Sequence, residues 1–138
     1  MGVTDFLKLY LLTAVVFFAI DLVWLGVVAV NFYQRHLGSL LAEQVRWVPA
    51  ILFYLIFIAG LLVFAVQPGL SAGSLGRAAV LGAFLGFMAY ATFDLTCLAL
   101  FKNFPVVVVV VDMIWGSCLT AVVSSAGYGI GRWLGIGS

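Results

Sequence analysis

Charge is what this sequence has least of. Only 8% of its 138 residues are Asp, Glu, Lys or Arg, against about a quarter in an ordinary soluble domain. With 66% of residues hydrophobic, the chain reads as an integral membrane protein. The formal net charge is +1, without any basic cluster, so the electrostatic footprint of a nucleic-acid binder is absent and no nucleic-acid partner is expected. Histidine occurs once, at His36, and cysteine twice, at Cys97 and Cys118. There is no His-Glu-x-x-His, Cys-x-x-Cys, glycine-rich phosphate loop or nucleophile elbow, so neither a metal nor a cofactor is expected. The N-terminus lacks a basic region and a small-residue cleavage site, and its apolar run is expected to stay as a first span. No linker or low-complexity segment is visible, and residues 1–138 are expected to form one domain.

Four apolar runs are present, at about 7–31, 49–66, 78–101 and 105–128. Each is long enough to cross a bilayer as a helix, and the six valines from Val106 to Val111 cannot be a lone strand, whose edges would be unpaired in lipid. The expected fold is an all-α four-helix transmembrane bundle with short connections and one longer interfacial loop. That loop, from Phe32 to Trp47, contains Tyr33, Arg35, His36, Glu43 and Arg46. Leu37, Leu40, Leu41 and Val45 suggest a short interfacial helix there. His36 lies above the acids described next, a position that permits proton uptake. Residues 67–77, rich in Gly, Pro and Ser, read as a turn-rich connection, and the glycines from Gly127 onward as an exit to the interface.

Lys, Arg and His are missing from the centres of these runs, but aspartate is not. Asp21, Asp94 and Asp112 lie in the first, third and fourth runs. An ionised carboxylate at the centre of a bilayer costs upward of about 2.5 kcal/mol, so such acids mark candidate functional sites. With alternating span directions and a rise of 1.5 Å per residue, the three lie roughly 14, 10 and 10 Å below one surface. If all three were ionised at one level they would repel, so some are expected to hold protons near neutral pH. The counter-charge then comes from outside, as a proton, a metal ion or a cationic solute. By the same arithmetic Cys97 and Cys118 differ in depth by roughly 14 Å, which argues against a disulfide.

Other side chains repeat around these acids. Asp-x-x-Trp occurs as Asp21 with Trp24 and as Asp112 with Trp115; at spacing three, each indole shares a helical face with its acid and can donate its N–H or wall the site with a surface that tolerates cations. Tyr54, the one strongly polar side chain of an otherwise scaffold-like second span, joins Tyr90 and Thr96 as a candidate. The third run carries Ala78, Gly82, Gly86, Tyr90 and Asp94 at spacing four, and the fourth Asp112, Gly116, Thr120 and Ser124. Small residues at this spacing let helices approach closely, within the chain or between copies, and a homodimer is expected. In a purely structural reading, the acids pin helix register by accepting from Thr92, Thr96, Ser117, Tyr54 or Tyr90.

The segments Ala19-Ile20-Asp21-Leu22-Val23-Trp24-Leu25-Gly26, Tyr90-Ala91-Thr92-Phe93-Asp94-Leu95-Thr96 and Val111-Asp112-Met113-Ile114-Trp115-Gly116 together resemble the predicted bacterial membrane proteins catalogued as domain of unknown function 2177. The resemblance spans nearly the whole chain and implies a four-span protein of the bacterial inner membrane with a connection to lipid. Cys97 departs from it where the family pattern has Asn.

Three functions fit these residues. The first is a small transporter or permeation protein that moves a proton, a cation or an amphiphilic solute by loading the aspartate layer. The second is a lipid-modifying enzyme or auxiliary factor with an Asp as acid or base, and the third a non-catalytic scaffold. Lys8, Arg77 and Arg132 lie on the side of the termini and Arg35, Arg46 and Lys102 on the other, three against three, so the positive-inside rule sets no orientation.

Overall fold

The computed structural model describes residues 2–29, 32, 35–36 and 47–136. Every element among them is helical, and four helices are long and apolar enough to span a membrane: Val3–Val23, Val48–Ala72, Leu75–Leu100 and Val106–Trp133. The third and fourth form the tightest pair, the first packs on the fourth and second, and the second closes the ring against the third. This is an up-down four-helix bundle. Large apolar side chains such as Leu11, Val15, Ile56, Phe64, Val80 and Ile114 face outward, whereas Thr13, Asp21, Asp94, Asp112, Thr120 and Ser124 are buried. Lipid takes the place of a hydrophobic interior, and the axis of the bundle is where polar groups find protein partners.

The helices outrun their apolar cores. The first starts at Val3 and keeps Asp5 in its first turn, where a carboxylate complements the helix dipole. Beyond Val23 it continues as a π-helix from Trp24 to Ala29. The far end of that expected span, at Asn31, lies outside the described residues, as do Tyr33, Glu43, Arg46 and the suggested interfacial helix.

Two expected boundaries are corrected. The second helix does not stop at Val66: a π-helical turn, Leu62–Val66, leads into Gln67–Ala72, and with the third helix starting at Leu75 only Gly73 and Ser74 of the expected connection lie outside helix. Pro68 sits in the first turn of that last segment, and the π turn before it is the kind of local adjustment that accommodates a missing N–H in a membrane helix. The chain reverses only at Gly73, with φ 62°; the Ser74 N–H donates to Gly69 O at 2.9 Å and Gly73 N–H to Leu70 O at 3.2 Å, the Schellman pattern. Ser74 Oγ then accepts from Arg77 N–H at 3.1 Å and caps the third helix. The fourth helix likewise runs through the expected glycine exit to Trp133. Gly127 and Gly131 are buried against Val66 and Leu70 of the second helix, and their lack of a side chain admits those residues.

The small-residue stripes face each other. A side chain on Gly82 would meet Ser124, one on Gly86 would meet Thr120 and Gly116, and one on Gly116 would meet the Tyr90 ring. The third and fourth helices thus approach along the whole stripe, and both faces are used inside the chain. At the other end their hairpin turns at Lys102 and Asn103, the latter at φ 59°, a region Asn tolerates. Phe104 folds back onto Cys97, Val108 and Val109.

Candidate functional site

All three acids are buried in one layer. Asp94 lies six residues before the end of its helix at Leu100 and Asp112 six after the start of its own at Val106; Asp21 precedes the π-helical end of the first span, Ala29, by eight. They do not form one cluster: among the described residues no three His, Cys, Asp or Glu side chains converge where they could hold a metal ion. The layer divides into one acid and a pair.

Asp21 is the single acid. Its carboxylate accepts from the Tyr54 hydroxyl of the second helix and from the Trp115 indole N–H of the fourth. Tyr54 is held for this by Phe17 and Phe18, with ring centroids at 5.5 and 5.6 Å. The second helix is therefore more than the scaffold its composition suggests. The two Asp-x-x-Trp motifs cross: Trp115 serves the acid of the other motif, and its ring stacks on Trp24 at 4.2 Å between centroids and 11° between planes. Spacing three puts each indole on the expected face, but the facing helix decides which acid it meets.

Asp94 and Asp112 are the pair, near enough for their carboxyl groups to act on each other electrostatically. Asp94 is 0% exposed, and neither of its carboxyl oxygens has a hydrogen-bond partner among the described residues. Of the hydroxyls expected to satisfy the acids, Tyr54 meets Asp21, while Thr92 and Ser117 are committed elsewhere. Thr92 donates to Met88 O at 2.7 Å and Ser117 to Met113 O at 2.8 Å, while Thr120 donates to Gly116 O. Thr96 is exposed on the outer surface and leaves the site, because two residues along an α-helix turn a side chain about 200° away from Asp94. Tyr90 stands within electrostatic range of all three acids.

Between the single acid and the pair lies a cavity of about 430 Å³, lined by Asp21, Trp24, Phe53, Tyr54, Ala89, Tyr90, Phe93, Asp112 and Trp115. Its volume falls in the range of small-molecule sites. Asp94 stands behind Asp112, outside the lining. Phe53 and Phe93 are exposed to the surroundings of the bundle, so the cavity reaches the flank between the second and third helices. These two rim residues escape sequence reading because each faces outward; the signal was their depth, beside Tyr54 and Asp94. A second, apolar space lined by Ala19, Ile20, Val23, Trp24 and Trp115 lies on the other side of the indole stack. Of the flanking loop, His36 is described, its Nδ1 2.9 Å from Phe32 O.

The family model described as predicted membrane protein (DUF2177) matches residues 6–129. The chain belongs to that family. The DUF2177 match takes in all four helices and every residue of the acid layer, and it agrees with the four candidate spans that the chain is a membrane protein. No curated protein and no solved structure matches the chain significantly.

Proposed function

We propose that this protein is a small permeation protein that takes a cationic or amphiphilic solute into the aspartate cavity and moves it across the membrane. One observation carries the reading: a cavity at membrane depth has two carboxyl groups, six aromatic rings and, among the described residues, no basic side chain in its lining. Aromatic faces attract cations, the more so when desolvated, and the carboxylates supply the opposite charge. The lining so described is complementary to a positive guest. The bacterial inner membrane is the location, and a second copy the partner, that go with this reading.

Uptake of benzyltrimethylammonium, a permanent organic cation, into proteoliposomes under an imposed pH gradient tests it. Accumulation by the wild type that Asp21→Asn abolishes, with the variant still folded, is the expected outcome. A second reading rests on Phe53 and Phe93, through which a lipid could reach the acids sideways, with an Asp as general acid or base. No accumulation, together with a lipid retained by the purified protein and displaced by Phe93→Trp, would favour that reading instead.

A further inference from the structure

A second space adjoins the aspartate cavity, and a small cation would leave it unused. It measures about 550 Å³, is lined by Ala19, Ile20, Val23, Trp24 and Trp115, and shares both indoles with the cavity. None of its lining side chains carries a charge or a hydroxyl. Ala19, Ile20 and Val23 lie within two residues of Asp21 along the first helix, which at 1.5 Å per residue puts the space within about 3 Å of that acid's depth. Both spaces therefore lie at the level of the acid layer. Ala19 and Val23 are exposed and, four residues apart, share one face of their helix. The space thus opens to lipid on the flank of the first and fourth helices, whereas Phe53 and Phe93, at the mouth of the aspartate cavity, belong to the second and third.

Trp115 ties the two spaces together. Its indole N–H donates to Asp21, and its ring, stacked on Trp24 at 4.2 Å between centroids, walls both. We propose that the second space is the chain subsite of the same ligand: the guest is a cation carrying one alkyl chain, its head between Asp21 and Asp112 and its chain lying past the indoles against Ala19, Ile20 and Val23. The two linings match the two parts of such a molecule, carboxyl groups and aromatic faces for the head and a charge-free recess for the chain. A chain that leaves lipid for this recess gains packing and no hydrophobic energy. What distinguishes it from a chain of the surrounding bilayer is its tether to a head that the aspartate cavity attracts. The proposal rests on the reading of that cavity as a cation site and adds to it the part of the ligand that a small cation lacks.

Photolabelling tests it. The probe is a trimethylammonium with an octyl chain bearing a diazirine near its end, added to the protein in lipid nanodiscs, and the labelled residues are located by peptide mass spectrometry. The expected result is labelling at Ala19, Ile20 or Val23 that excess benzyltrimethylammonium, which competes for the head site and has no chain, abolishes. Labels only beside Phe53 and Phe93, labels that persist under competition, or no labels at all, with benzyltrimethylammonium still bound by calorimetry, overturn the chain subsite and leave the cation site standing. Absence of benzyltrimethylammonium binding overturns both. Ala19→Phe, which fills the recess from an exposed position, should remove the labels from Ile20 and Val23; labelling there at wild-type yield in the folded variant would also overturn the subsite.

Discussion

At the scale of single residues, a donor matters as much as an acid. Asp21 has two donors and neither oxygen of Asp94 has a hydrogen-bond partner, although both are buried aspartates in apolar helices. Trp115 does two things: its N–H serves Asp21, and its ring covers Trp24 at 4.2 Å. Two indoles stacked so closely couple their excited states, so the protein should show a circular-dichroism couplet in the tryptophan absorption region. Trp115→Phe should remove the couplet and weaken cation binding about tenfold, or ~1.4 kcal/mol, with helix content retained. A couplet that survives would mean the stack does not form. The neighbouring Thr96→Ala should change neither signal, since that side chain faces outward.

Single elements obey local rules with exceptions that packing explains. The glycines of the third and fourth helices look alike in the sequence, yet a methyl group on Gly86 would strike Thr120 and the Gly116 backbone, whereas one on Gly129 would meet nothing within 4 Å. Gly86→Ala should therefore cost about 1–3 kcal/mol by overpacking. Gly129→Ala should be neutral or stabilising by up to about 1 kcal/mol, since alanine is the better helix former. Thermal unfolding in detergent reads both; equal effects would mean that the two helices are not in contact along this stripe. The π-helical turn before Gln67 belongs to the same scale: Pro68 and Gly69 predict a break, and a locally wider helix carries the chain past them.

For the whole molecule, orientation is the property that no single helix sets. The described basic residues Lys8, Arg77 and Arg132 at one end and Arg35 and Lys102 at the other are all exposed, and the full sequence balances three against three. Replacing Arg35 and Lys102 by Gln should leave the excess at the end of the termini and drive that end to the cytoplasm. Fusion reporters at the C-terminus measure this directly; an unchanged distribution would show that loop charge does not govern insertion. The direction of the proposed permeation depends on this outcome, because the acid layer lies closer to the surface of the Lys102 turn.

Helix number, span depth and the common level of Asp21, Asp94 and Asp112 were legible in the sequence, because hydropathy marks the spans and a fixed rise of 1.5 Å per residue converts position into depth. The facing glycine stripes were legible for the same reason, as a periodicity of one helix. What only the tertiary structure decided is azimuth and neighbour: that Trp115 meets Asp21, that Asp94 comes beside Asp112, that Thr96 faces outward, and that a cavity lies between Asp21 and Asp112. Depth along a helix is a property of one chain segment. Which acid faces which is set by how four helices rotate to bury small residues against large ones, and that requires all four at once.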